Sequence, residues 1–262
     1  MTSPTRAPDP VLVGRLRTAG CVFAEEEAVL LGEEASSPAD LEAMAVRRIA
    51  GEPLELVLGW AELCGVRIRL AAGVFVPRQR SAMLIRLALA HLDRRPGAPA
   101  VVVDLCCGSG ALAAVLARRR PEIEVWASDL DPAAVACARL NLPPERVLLG
   151  DLYAALPVGV RGTVDVLLAN APYVPTDQIA LMPPEAREHE HLLALDGGQD
   201  GLDVQRRVAE HAAAWLRPGG VLLVESGRAQ APVTAALLDA AGLQAEIHED
   251  DEIGATAVLG RL

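Results

Sequence analysis

With 262 residues, 52% of them hydrophobic, the chain can build one large domain with a small appendage and is too apolar to stay disordered. Its formal charge is −11 and all 24 basic residues are arginine, so it has no basic footprint and nucleic acid is not the expected partner. No apolar run reaches the length of a membrane span, "MTSPTRAPDP" lacks the core of a signal peptide, and five cysteines without a CxxC pair argue against a disulfide framework or a metal site. A reduced, cytoplasmic protein that makes no membrane contact and holds no metal is the expectation.

Residues 1–52 read as a small helical domain. "VLVGRLRTAG" and "DLEAMAVRRIAG" carry apolar residues at helical spacing and close on glycine, and "SSPAD" has the form of a helix start. From Pro53 the pattern alternates with glycine punctuation in "LELVLGWAELCGVRIRLAAGVFVPR", which predicts a β-hairpin linker over 53–77. Residues 78–262 then form one continuous unit. It opens with the helical run "AMLIRLALAHLDRR" and the break "PGAP".

Beyond that break, strands and helices alternate. "AVVVDLCCG", "EIEVWASDLD", "RVLLGDL", "TVDVLLANAPY" and "GVLLVES" are strands. "GALAAVLARRR", "PAAVACARLNL", "VQRRVAEHAAAWLRPGG" (stopped by its glycines) and "APVTAALLDAAG" are helices. "AEIHEDDEIGATAVLGRL" supplies two closing strands, with "HEDDE" as a solvated turn. Continuous apolar strands separated by helices specify an α/β fold with a doubly wound, mostly parallel sheet of seven strands.

Ligands of such sheets bind beyond the carboxyl ends of the strands. The first strand ends at Asp104 and runs into Cys106, Cys107, Gly108, Ser109 and Gly110. The glycines permit a tight turn and close approach of a ligand, and the two cysteines read as small residues lining that loop. The second strand ends in Asp129 and Leu130. A carboxylate nineteen positions after Gly110 can accept both hydroxyls of an adenosine ribose, whereas Asp131 before Pro132 suits a helix cap. At the third strand end, Asp151 and Leu152 suit an adenine contact and a plain turn equally.

Acidic ends on three strands fit NAD and S-adenosylmethionine alike. The fourth strand separates the two, because it ends in Asn170 followed by Ala171-Pro172-Tyr173. Hydride transfer has no use for an asparagine before a rigid Pro-aromatic turn, and methyl transfer to a nitrogen does. Alone, Asn170 would also suit a turn at a strand end.

With these residues in view, the chain resembles the class I S-adenosylmethionine-dependent methyltransferases of Rossmann-like fold that modify planar amide or amino nitrogens. It most resembles the protein-(glutamine-N5) methyltransferases acting on peptide-chain release factors, together with a ribosomal-protein relative. "FVPR", "VDLCCGSGALA", "ASDLDPAAV", "GDLYAALP", "LANAPYVPT", "EHEHLLALDGGQDGL" and "LRPGGVLLVESGRAQ" carry the likeness over nearly the whole chain. The family pattern Asn-Pro-Pro-Tyr stands here as Asn-Ala-Pro-Tyr, and the acidic stretch that follows Pro-Arg in the family is Gln79-Arg80-Ser81.

The resemblance implies S-adenosyl-L-methionine as cofactor and a protein substrate such as a release factor, gripped by the N-terminal helices. It implies that the Asn170 side-chain oxygen and the Ala171 carbonyl accept the two N–H groups of a glutamine amide, and that Pro172 stiffens the turn while Tyr173 packs on the flat amide. Phe75, Arg78 and Glu190 match its substrate side, although Glu190 suits a structural role as well. Because "GGQ" at Gly197–Gln199 falls inside a loop of the family, its likeness to the tripeptide methylated in release factors is coincidental. Two alternatives stand beside this reading: amino methylation of a flipped nucleic-acid base, and a specialised relative that binds cofactor without turnover. A monomer or weak dimer is expected.

Overall fold

The computed structural model describes residues 8–95 and 97–262. Most of the segment read for a signal peptide, and Pro96 of the "PGAP" break, lie outside them.

Helices α1 (Pro10–Thr18), α2 (Ala24–Glu34) and α3 (Pro38–Ile49) open the chain. Asp9 and Ser37 cap α1 and α3, each followed by proline at the first helical position, where the missing N–H costs nothing. Leu16, Leu31 and Ala45 face inward and are almost fully buried. Arg48, at the end of α3, donates to Glu27 at 2.7 Å and reaches across to Glu185 at 2.7 Å.

The hairpin predicted over 53–77 is shorter than that span. Residues Leu54–Leu58 form α4, opened by Pro53 and closed by Gly59 in the left-handed region, and only β1 (Trp60–Leu63) and β2 (Val66–Arg69) pair. The apolar residues of "LELVL" suit a single helical turn as well as a strand, and its two flanking punctuators decide for the turn.

The remaining elements are α5 (Ala82–Leu92), β3 (Ala100–Leu105), α6 (Ala111–Arg119), β4 (Ile123–Asp129), α7 (Pro132–Ala138), β5 (Val147–Leu149), β6 (Val164–Ala169), α8 (Pro184–His189), α9 (Asp203–Trp215), β7 (Leu216–Glu225), α10 (Ala231–Ala240), β8 (Gln244–Asp250) and β9 (Ala255–Arg261). The strands lie in the order β5-β4-β3-β6-β7-β9-β8, and β9 runs antiparallel to both its neighbours while the other pairs are parallel.

Successive residues point to opposite faces. Val102, Leu168 and Leu223 pack with Leu84 of α5 and Leu116 of α6, while Val103, Leu167 and Leu222 pack with Val208 of α9 and Leu238 of α10. Both faces are covered, which is why the strands read as unbroken apolar runs. This is the α/β, doubly wound, mostly parallel architecture expected. The chain runs outward from β3 to β5 and returns to β6, so the crevice between the carboxyl ends of β3 and β6 is the place for a ligand.

Two boundaries differ from expectation. The "RPGG" after α9 is a bulge inside β7 and not a helix stop: Val164 pairs with Leu216 and Val166 with Val221, leaving extra residues on β7. Gly220 is needed there because a Cβ would lie 2.6 Å from the Val164 carbonyl. "HEDDE" is also only partly a turn, since His248, Glu249 and Asp250 complete β8.

Candidate active site

At the end of β3 the backbone turns sharply into α6. Cys106 takes a positive φ of 55°, a conformation that costs a side-chain-bearing residue free energy, and Gly108 and Gly110 follow at 55° and 74°. The turn is held from β4: Asp129 accepts the Gly108 N–H at 2.9 Å on one oxygen and the Asp131 N–H at 2.9 Å on the other. Asp131 caps α7 by accepting from Ala133 at 2.8 Å, the role its position suggests. Burial pushes the Asp129 carboxyl upward, against the lowering effect of those backbone donors.

Asp104 is more confined. It is 1% exposed, one oxygen accepts the Ala113 N–H at 3.3 Å, and Oδ1 has no partner among the described residues. Burial raises its pKa to about 8, and the neighbouring Asp129 adds repulsion. Neither carboxylate has a cationic partner among the described residues, so this floor suits a ligand that brings positive charge and hydroxyls.

Asp151 and Leu152 follow β5. The Asp151 carboxylate receives Arg207 of α9 at 2.6 Å, and Leu152 is buried with its carbonyl accepting from Ser128 Oγ at 3.2 Å.

Opposite this floor, β6 ends and Asn170 to Tyr173 form the far wall. Ala171 is buried, and its carbonyl accepts no hydrogen bond among the described residues. The Tyr173 carbonyl takes Gln230 Nε2 at 2.9 Å, and the same amide nitrogen donates to the Asp200 carbonyl at 2.9 Å, which ties the "GGQDG" loop against the turn. Gly201 allows this approach: it has φ 76°, and a Cβ there would collide with the Tyr173 carbonyl. The Tyr173 hydroxyl donates to Glu225 Oε1 at 3.2 Å and accepts from Arg80 Nη2 at 2.6 Å. Burial, reinforced by the Glu225 charge, pushes its pKa up to about 12.

A cavity of about 440 Å³ joins floor and wall, and nearly all the residues singled out in the sequence line it: Phe75, Arg78, Asp104, Cys106, Cys107, Gly108, Ser109, Asp129, Leu130, Asp151, Leu152 and Asn170 to Tyr173. Two are not in its wall. Gly110 turns away into α6, and Glu190 stands behind Arg78, accepting its Nη2 at 2.5 Å and the Val76 N–H at 3.2 Å with no side-chain exposure. The Arg78 guanidinium also lies 5.1 Å over the Phe75 ring. Among the residues sequence reasoning missed are Arg80, Ser81 and Arg207 in the wall and Glu225 behind it. Glu225 could have been found as a further acid at a strand's carboxyl end. Among the described residues no group of three His, Cys, Asp or Glu could hold a metal ion.

The Methyltransferase small domain family matches residues 65–182. The Deinococcus radiodurans release factor glutamine methyltransferase is 40% identical over 252 residues, which cover 94% of this chain and 90% of that one. The chain belongs to the release factor glutamine methyltransferase family. It is an S-adenosylmethionine-dependent enzyme. A Streptomyces pristinaespiralis 4-amino-L-phenylalanine/4-methylamino-L-phenylalanine methyltransferase is also 40% identical, over 201 residues covering 75% of this chain and 68% of that one. In fold, the chain is like the T. thermophilus 16S rRNA N2 G1207 methyltransferase solved with S-adenosylmethionine and guanosine, at a TM-score of 0.51 and 22% identity, over 77% of this chain and 49% of that one. No helix among the described residues is long and apolar enough to cross a membrane.

Proposed function

We propose that this enzyme methylates the side-chain amide nitrogen of a glutamine in a protein substrate of the release-factor class, in the cytoplasm. The observation that carries the reading is the pair of acceptors on the cavity wall, the Asn170 carboxamide and the uncommitted Ala171 carbonyl, facing an acidic floor. Bound S-adenosylmethionine supplies a methyl group on a sulfonium sulfur that leaves as a neutral thioether.

The floor suits that cofactor. Asp104, with its unpartnered oxygen, would receive the ammonium group, Asp129 the ribose hydroxyls, and the loop from Cys106 to Gly110 the methionyl end. Leu130, Asp151 and Leu152 would flank the adenine. On the wall, Asn170 Oδ1 and the Ala171 carbonyl would each accept one N–H of the substrate amide, drawing electron density toward its nitrogen and aiming that nitrogen at the floor. One of those hydrogens leaves as a proton when the new N–C bond forms. Fixed dipoles that meet developing charge in a dry site are worth several kcal/mol of barrier.

Pro172 has no N–H and restricts Ala171 to extended conformations, so the carbonyl direction survives the loss of the family's first proline. Tyr173 would cover the flat amide, with Phe75 and Arg78 beside the acceptor chain and Glu190 holding Arg78 from behind. Residues 1–52 would grip the protein substrate, 53–77 link, and 78–262 carry the chemistry. Incubation with radiolabelled S-adenosylmethionine and a release factor, followed by mass spectrometry, should place one methyl on a glutamine. Label on any other residue type refutes the assignment.

A second reading, an aromatic amine on a free amino acid, is favoured by the equal identity to the S. pristinaespiralis enzyme and by the cation Arg80 in the wall. Replacing the protein by 4-amino-L-phenylalanine in the same assay separates the two.

A further inference from the structure

Glu225 closes β7 and is 2% exposed. Its Oε2 accepts the hydroxyl of Ser81 at 2.5 Å, and its Oε1 accepts Arg80 Nε at 3.1 Å and the Tyr173 hydroxyl at 3.2 Å. Ser81 Oγ in turn lies 3.4 Å from the Asn170 carboxamide nitrogen. We propose that Glu225 is a positioning residue for methyl transfer: by taking the one proton of Ser81, it decides which end of the Asn170 carboxamide faces the acceptor. The inference rests on the acceptor role given to Asn170 above.

An inventory of protons fixes the direction of each bond. A serine hydroxyl has one proton to donate and two lone pairs with which to accept. With the proton committed to a buried carboxylate, Ser81 Oγ can only accept toward Asn170, so it selects the NH2 end and leaves Oδ1 turned to the cavity. Tyr173 is held in the same way. Its oxygen accepts from Arg80, so its single proton goes to Glu225, and the ring is pinned at two points. Burial and the Glu225 charge keep that phenol protonated far above neutral pH. One buried carboxylate thereby sets both an amide's polarity and a ring's orientation. Hydrogen bonds to charged acceptors are about twice as strong as neutral ones, which suits Glu225 to dominate the chain.

Glu225→Gln tests the inventory. Two donors, Arg80 Nε and the Tyr173 hydroxyl, face the Oε1 position, so the introduced carboxamide must put its oxygen there and its NH2 toward Ser81. Ser81 then accepts from that NH2, its own proton is released toward Asn170, and the Asn170 carboxamide flips to present donors to a substrate that also presents donors. The expected result is a kcat lower by about 10- to 100-fold with KM for S-adenosylmethionine little changed. Adding Ser81→Ala to Glu225→Gln removes the misdirected proton and should restore about tenfold of that loss.

A purely structural Glu225 predicts the opposite, a double variant no better than the single one, and that result overturns the proposal, as does a Glu225→Gln enzyme with wild-type kcat. The second readout needs no substrate. In 15N-labelled wild-type protein the Asn170 amide protons should show a nuclear Overhauser contact to the Ser81 β-protons, lost in Glu225→Gln. Its absence from the wild type sinks the inference. A wrong acceptor assignment would instead leave this contact intact while the wild type fails to label glutamine, so the two errors are distinguishable.

Discussion

Cofactor binding should be linked to the protonation of Asp104, and the linkage has a definite sign. Burial holds this carboxyl at a pKa of about 8 with Oδ1 unpartnered, so at pH 7 the group is mostly protonated before ligand arrives. Receiving an ammonium requires the carboxylate. Deprotonating a group of pKa about 8 at pH 7 costs about 1.4 kcal/mol, a tenfold loss of affinity, and the loss grows about tenfold for each further pH unit downward. Above pH 8 the limb levels. The ligand's own α-amine titrates near 8 and favours binding below that value, so the profile should peak near pH 8. Titration calorimetry from pH 6 to 9 gives the affinity, and repeating it in buffers of different ionisation enthalpy counts the proton released on binding. Asp104→Asn should bind more weakly at pH 8, lose the low-pH limb and release no proton. A low-pH limb of equal slope in that variant would refute the reasoning. Stability without ligand has the opposite sign. The folded carboxyl holds its proton more tightly than the unfolded one, so without ligand this group's contribution is fully present below about pH 4 and is lost as pH rises through about 8.

Asn170→Ala should lower kcat by about 100- to 1,000-fold while cofactor affinity stays within about twofold, as for loss of one preorganised hydrogen-bonding partner. Full turnover in that variant removes Asn170 from the mechanism. Ser37→Ala deletes the cap on α3 and should cost about 1 kcal/mol in denaturant unfolding. An unchanged midpoint would mean that the Asp40 bonds to Ser36, at 2.9 Å, hold the helix start alone. Gly201→Ala drives a methyl into the Tyr173 carbonyl at a backbone angle that alanine resists, so it should lower the melting temperature and kcat together. A variant with wild-type values of both would show that the loop yields freely.

Local pattern carried the sheet, because both its faces are buried and a run such as "VVVDL" or "VDVLLA" admits few other uses. It carried the strand-end acids for the same reason, since a polar residue after a run of apolar ones marks where a strand leaves the core. What pattern could not carry was pairing at a distance. Arg80 and Glu225 stand 145 positions apart and Arg78 and Glu190 112 apart, and nothing periodic links them. Hence sequence leaves Glu190 open between a substrate contact and a structural role, whereas its side chain is unexposed and bonded to Arg78 and the Val76 N–H, and the Arg207 partner of Asp151 at the cavity edge has no local signal.

Those distant pairings bear on which acceptor the cavity suits. Sequence marks Arg78 as substrate-side and the structure adds Arg80 to the same wall, and two arginines beside the acceptor end would suit an anion. Each, however, is met by a buried glutamate from elsewhere in the fold, so the acceptor end presents little net charge. Arg80 Nε is already held by Glu225 and its Nη2 by the Tyr173 hydroxyl, so a substrate carboxylate that docked on either nitrogen would have to displace one of those partners. A neutral carboxamide asks for no such exchange. It needs only the two acceptors that Asn170 and Ala171 hold out, and this is the physical reason to rank glutamine above a free amino acid as the acceptor.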